Sequence, residues 1–139
     1  MKIEKNIEKI KKQAHQAQLV VVTKKQSLEN ITRVYKLGER EFGENKVQDL
    51  LQKKEKLPNN IKWHMIGHLQ TNKVKYIAPF VSLIHAVDSL RLLDEINKRA
   101  KQHNRIIDCL LQVHIAKEST KSGFKIEEIK TVLETSNAF

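Results

Sequence analysis

A strand followed by a helix, repeated about every 20 to 25 residues, constrains the fold of this chain more than any other feature. Short apolar runs rich in β-branched residues cover residues 19–23, 41–43, 61–67, 81–87 and 106–115. Segments with helical spacing of apolar residues lie between them and are long enough for the crossovers that parallel strands need. The pattern therefore predicts an α/β fold with parallel strands.

The boundaries of the helices are predicted from capping residues. A helix with apolar residues from Ile3 to Ala17 precedes the first strand and needs a surface to pack against. The predicted N-caps are Ser27, Asn45, and Asp88 or Ser89, and the predicted stop of the helix after the first strand is Gly38. Apolar and polar residues do not alternate in residues 19–23, and such an apolar run is typical of a strand covered on both faces.

The loop after the first strand distinguishes two kinds of parallel sheet. Residues 23–27 contain no glycine, whereas a dinucleotide-binding sheet has a Gly-rich phosphate loop at this place. Barrel winding is therefore favoured, and a closed barrel of this type needs eight units and about 250 residues. We expect residues 1–139 to form a single domain, a partial TIM (β/α) barrel of about five β/α units with an N-terminal helix.

The composition excludes several classes of protein. Hydrophobic residues make up 40% of the chain, enough for a core, but no stretch reaches the roughly 20 continuous apolar residues of a membrane helix. The lysine-rich start lacks the apolar middle of a secretory signal, so we expect a cytoplasmic location. Cys109 is the single cysteine and lies in an apolar run, which indicates a small core residue rather than a nucleophile.

The charge of the chain leaves one alternative function open. Lys and Arg number 26 against 16 Asp and Glu, and the resulting net charge of +10 attracts polyanions. A basic nucleic-acid-binding module is therefore one candidate. The lysines are scattered over nearly every segment and aromatic residues make up only 5%, so we expect no specific nucleic-acid partner.

Lys24 is the most interesting residue for chemistry, because it directly follows the first apolar run. In barrels of this kind the functional face lies at the carboxyl ends of the strands. A lysine forms a Schiff base with an aldehyde only as the free amine, which enclosure near apolar walls or another cation makes available. The alternative reading is a solvated lysine that begins a loop.

The histidines do not predict a metal site. His64 and His68 are four residues apart, but they straddle a strand end and Gly67 with no carboxylate between them. Ordinary hydrogen-bonded histidines are the better interpretation of this pair. A structural role is also favoured for His85 and His114, which fall on predicted strands.

Four motifs resemble one known family, in the same order and spacing. They are LVVVTK at residues 19–24, FGENKVQ at 42–48, WHMIGHLQTNK at 63–73 and KSGF at 121–124. Together they resemble the pyridoxal-phosphate homeostasis proteins. The resemblance covers essentially all of this chain but only the N-terminal portion of a family member.

The resemblance implies a fold, a cofactor and a function. Family members are barrels related to the cofactor domain of alanine racemase, and the residue that forms the internal aldimine with pyridoxal 5'-phosphate (PLP) corresponds to Lys24. Asn45 is expected to lie beside the cofactor and His64 to line its site. Such proteins buffer PLP inside the cell and deliver it to PLP-dependent apo-enzymes without established turnover. A PLP-dependent racemase or lyase acting on amino acids is the enzymatic alternative.

The chain departs from the family pattern at several positions. Gln26 replaces a second lysine that is frequent in the family, so Lys25 is a candidate transfer site, and His114 replaces an asparagine of the fifth strand. The phosphate-binding backbone and the arginine beside the pyridine nitrogen belong to later strands. With five units, the first and last strands would also be unpaired edges, which predicts self-association and leaves the oligomeric state open.

Overall fold

The computed structural model describes residues 2–117 and 122–135. In chain order the helices and strands are α1 (Lys2–Ala14), β1 (Val21–Val22), α2 (Leu28–Lys36), β2 (Glu41–Glu44), α3 (Val47–Lys56), β3 (Lys62–Met65), a 3₁₀ turn (Thr71–Lys73), α4 (Val74–Ile77), β4 (Leu83–Val87), α5 (Leu90–Gln102), β5 (Asp108–Leu111) and α6 (Ile126–Thr135).

All five strands are parallel and lie in one open sheet in the order β1-β2-β3-β4-β5. Strands that are neighbours in sequence are therefore neighbours in space, with a helix in each connection. This is the winding of a partial β/α barrel, and it confirms the predicted fold class. The sheet directs the carboxyl ends of β1 to β5 to the same edge, which we call the rim.

One face of the sheet carries the core. Phe42 pairs with Trp63, and Met65 pairs with Ile84, and all four side chains are buried. They belong to one apolar cluster with residues of the helices, among them Leu50 of α3. The opposite face, which we call the open face, is where the interior of a closed barrel would lie.

The helix caps follow the sequence in three cases and differ from it in one. Ser27 Oγ accepts from Asn30 N at 3.2 Å, and Gly38, with φ of 99°, follows the end of α2, as predicted. Asn45 was predicted to cap α3, but the N-cap is Lys46 and its side chain makes no capping hydrogen bond. Ser89 alone caps α5, so Asp88 is free for a different contact. None of the described helices is both long and apolar enough to span a bilayer.

Both edge strands are shorter than the apolar runs predict. β1 spans two residues, and Val22 is 47% exposed, so the prediction of a strand covered on both faces is wrong for it. The predicted fifth strand, residues 106–115, is reduced to β5, and Ile106 and Ile115 are 92% and 81% exposed. An edge strand has a partner on one side only, so apolar residues there extend beyond the paired segment.

Candidate functional site

The strand register places Lys24 and Asn45 next to each other on the rim. Val22 pairs with Gly43, and the two site residues each lie two positions beyond that pair. The pairing continues past the strand ends, because Thr23 N donates to Gly43 O at 3.0 Å. Adjacent strands are about 4.8 Å apart, so the two residues extend from neighbouring backbone positions.

Lys24 lies in a hydrogen-bonded turn. Gln26 N donates to Thr23 O at 3.0 Å, and Lys25 has a φ of 59°, in the left-handed region. The Lys24 side chain is exposed, and its ammonium has no hydrogen-bond or ion-pair partner in the part of the chain that the structure describes. It is therefore an accessible amine on a defined backbone.

Asn45 lies at the edge of a polar cavity between the start of α3 and the loop after β3. The cavity has a volume of about 290 Å³ and is lined by Asn45, Lys46, Val47, Gln48, His68, Gln70 and Lys73. Gly67 packs directly against Asn45, since a Cβ at position 67 would lie 2.4 Å from the Asn45 carbonyl oxygen. The loop after β3 thus supports the backbone of Asn45.

His64 lies on the open face, where it is held at both ring nitrogens. Its Nε2 is 2.6 Å from Glu41 Oε2 and its Nδ1 is 2.9 Å from His85 Nε2. The residue is 5% exposed. Both polar atoms of the ring therefore have protein partners, and the role of His64 in lining a cofactor site stays a prediction.

Glu41 and His85 complete a polar chain that the sequence did not reveal. Burial lowers the pKa of His85 from its ordinary range, and the charge of His64 acts in the same direction. Glu41 also lies 3.7 Å from Lys62 Nζ. His85 lies two residues beyond Leu83, the register partner of His64, so the two histidines share a face of adjacent strands. One histidine on each of two neighbouring predicted strands is the signal that could have indicated the contact.

His68, Cys109 and His114, the other residues considered from the sequence, lie outside this polar chain. His68 Nδ1 lies 3.6 Å from Asp88 Oδ2, and no group of three or more metal-ligating side chains occurs among residues 2–117 and 122–135. Burial, with the nearby Asp108 carboxylate, raises the pKa of the Cys109 thiol to about 11, which agrees with a core residue. His114 N donates to Phe124 O at 2.8 Å, and Lys121 lies outside the described residues.

Nearly the whole chain matches one protein family. A sequence model described as "Alanine racemase, N-terminal domain" matches residues 1–138. The chain belongs to this family. Among curated relatives, the pyridoxal phosphate homeostasis protein of Aquifex aeolicus is 40% identical over 134 residues, covering 96% of this chain and 59% of the relative. The protein of the same name from Helicobacter pylori is 42% identical over 116 residues, covering 82% and 52%. These relatives confirm the resemblance seen in the motifs.

Solved structures of similar proteins have the same fold. PipY of Synechococcus elongatus without PLP superposes with a TM-score of 0.89 at 29% identity, and PipY with PLP bound gives 0.88 at 28%. Each match covers 96% of this chain and 63% of the PipY chain. The chain thus spans between about half and two thirds of the length of its relatives.

Proposed function

We propose that this chain binds pyridoxal 5'-phosphate through Lys24 and takes part in PLP homeostasis. The observation that carries the proposal is the position of Lys24 on the rim, at the carboxyl end of β1 and level with Asn45 after β2, with an accessible amine. The family relationship supports it, because curated relatives are named for PLP homeostasis and PipY has been solved with PLP bound. Binding of an aldehyde needs such an accessible amine.

The side chains on the rim have distinct proposed tasks. PLP supplies an aldehyde conjugated to a pyridine ring, together with a phosphate. Lys24 would hold the cofactor through its aldehyde group, for which a lysine amine is the reactive side chain. Asn45 would offer its side-chain amide as donor and acceptor to the bound cofactor, and His64 would contribute the face of its imidazole ring.

Covalent trapping tests the proposal. The protein is incubated with PLP and reduced with borohydride, and the modified lysine is identified by peptide mass spectrometry. We expect the modification on Lys24, and we expect Lys24→Ala to reduce it at least about tenfold, to the level of a surface lysine. Lys25→Ala is the matched control, because it removes the adjacent lysine of the same turn and should leave Lys24 modified.

Modification spread over many lysines and unchanged in Lys24→Ala would reject the assignment. If Lys25 carried the modification instead, the transfer role suggested for it by the sequence would replace the role of Lys24.

We also propose that the chain holds PLP without turnover. The names of the relatives describe homeostasis and not a reaction. Racemase or lyase chemistry would remove the α-hydrogen of an amino acid, so incubation in heavy water with PLP and amino acids tests it. We expect no exchange of that hydrogen above the rate with PLP alone. Delivery to PLP-dependent apo-enzymes, the cytoplasmic location and the single-domain organisation of residues 1–139 stay predictions.

A further inference from the structure

We infer that Lys53 and Glu44 are positioning residues for Lys24, acting through the buried Thr23 that precedes it. Thr23 is 2% exposed and directly follows β1. The three side chains form a cluster on the helix-facing side of the sheet, beneath the turn that carries Lys24. The inference deepens the proposed function and rests on it for its consequence in PLP binding.

The contacts of Thr23 involve each of its polar groups. Its Oγ1 donates to Glu44 Oε1 at 2.7 Å, and its backbone N donates to Gly43 O at 3.0 Å. Its carbonyl oxygen accepts from Lys53 Nζ at 2.7 Å. Lys53 also donates to Glu44 Oε1, so one ammonium binds both the backbone of Thr23 and the carboxylate that holds its hydroxyl.

The same carbonyl closes the turn of Lys24. Thr23 O accepts from Gln26 N at 3.0 Å in addition to Lys53 Nζ. A carbonyl oxygen has two lone pairs, and here both have donors. The peptide that links Thr23 to Lys24 is therefore held by the sheet, the turn and an ammonium group, which restricts the direction in which the Lys24 side chain leaves the backbone.

Burial explains why this arrangement points to positioning rather than to stability. The Glu44 side chain is fully buried and that of Lys53 is 13% exposed. Desolvation of two charges offsets much of their attraction, so a buried ion pair contributes little net stability. Glu44 Oε2 has no hydrogen-bond partner among the residues that the structure describes, which adds to the free energy required to bury this carboxylate. The pair therefore contributes mainly by fixing the geometry of the turn that carries Lys24.

A second lysine–glutamate pair provides a matched control. Lys11 Nζ lies 2.7 Å from Glu39 Oε1, and the Glu39 side chain is 7% exposed. This pair joins α1 to the segment before β2, at the end of the sheet opposite the rim. Loss of either pair removes one lysine–glutamate contact, but only loss of Lys53–Glu44 should affect Lys24.

The experiment compares two charge-neutral double variants. Lys53→Met with Glu44→Gln removes the pair beneath the turn, and Lys11→Met with Glu39→Gln removes the control pair. The readouts are the extent of borohydride trapping of PLP on Lys24 and the hydrogen exchange of the Gln26 amide. We expect the first variant to lose about tenfold in trapping and to exchange Gln26 about tenfold faster, because a hydrogen bond from a charged donor is lost. The control variant should keep both at the wild-type level.

Thr23→Val is the second test, for the case in which the first double variant does not fold. It removes only the hydroxyl contact, and we expect a smaller loss in both readouts, with Thr23→Ser restoring them. The inference would be overturned if Lys53→Met/Glu44→Gln and the control variant gave equal readouts. Equal readouts in Thr23→Val and the wild type would also overturn it. If the wild type itself is not trapped on Lys24, the proposed function fails, and exchange of the Gln26 amide alone then decides whether the pair orders the turn.

Discussion

At the scale of single residues, the polar chain on the open face joins two histidines to one carboxylate. The Glu41 carboxylate can only accept, so His64 Nε2 donates to it. The other ring nitrogen of His64, Nδ1, lies 2.9 Å from His85 Nε2, so the two rings share one hydrogen bond. Burial disfavours the charged form of His85 and lowers its pKa, and the charge of His64 acts in the same direction.

The pKa of His85 predicts a contribution to the pH dependence of stability. A histidine whose pKa is lower in the folded chain binds its proton preferentially in the unfolded chain. Stability is therefore lost as the pH falls through the ordinary value of about 6.5 towards the lower folded value. In His85→Gln we expect the free energy of unfolding to fall less steeply between about pH 7.5 and 5.5, by at most about 1.4 kcal/mol per pH unit, the limit for one proton.

Urea denaturation at several pH values measures this slope. His103→Gln is the control, since it removes an exposed histidine at the end of α5. Equal slopes in His85→Gln and the wild type would contradict the prediction.

At the scale of elements, the close approach of two backbones supports the rim. Gly67 follows β3, and its Cα faces the peptide of Asn45 so closely that a side chain has no room there. Ile66 N also donates to Glu44 O at 3.0 Å, so the ladder between β2 and β3 continues to this point. The two strand ends therefore form a rigid support for Asn45.

Substitution of Gly67 should disturb this support. In Gly67→Ala the new Cβ would lie 2.4 Å from a backbone oxygen, which cannot move without displacing Asn45. We expect a loss of about 1 to 3 kcal/mol in the free energy of unfolding, the usual cost of overpacking. Gly43→Ala is the control, because its Cβ would meet only side chains, at 3.1 Å or more, and these can shift. Thermal and urea denaturation of both variants measure the difference, and a cost for Gly43→Ala that matches or exceeds that of Gly67→Ala would argue against the role of Gly67.

At the scale of the whole molecule, the open sheet leaves apolar surface at both edges. Val22 of β1 and Leu110 of β5 lie on the open face and are 47% and 49% exposed. Each edge strand has a neighbour on one side only in the five-stranded sheet. Unpaired edges with apolar side chains favour association with other chains.

A charge on the open face should therefore weaken self-association. We expect Leu110→Lys to raise the concentration at which oligomers form about tenfold, because a half-exposed apolar side chain is replaced by a charge. Tyr76→Lys is matched in exposure, at 47%, but lies on α4, and it should leave association unchanged. Sedimentation velocity over a range of concentrations measures the effect. A wild type that stays monomeric throughout, or an equal shift in both variants, would contradict the prediction.

Local patterns in the sequence were sufficient for the elements and for the place of Lys24. The spacing of apolar residues predicted five parallel strands, and Ser27 and Gly38 predicted the limits of α2, because periodicity and capping act over a few residues. Lys24 and Asn45 lie within two residues of the ends of their strands, so their location on the rim is a consequence of strand direction alone. The length of β5 was not predictable in this way, since pairing depends on a neighbouring strand.

The contacts between side chains were decided only by the tertiary structure. Thr23 and Lys53 are 30 positions apart, and Glu41 and His64 are 23 positions apart. Which of these groups meet depends on the register of the strands and on the face to which each side chain points, and a shift of one residue would separate them. The sequence by itself determined where Lys24 lies along the chain, and the fold determined which groups contact the turn that carries it.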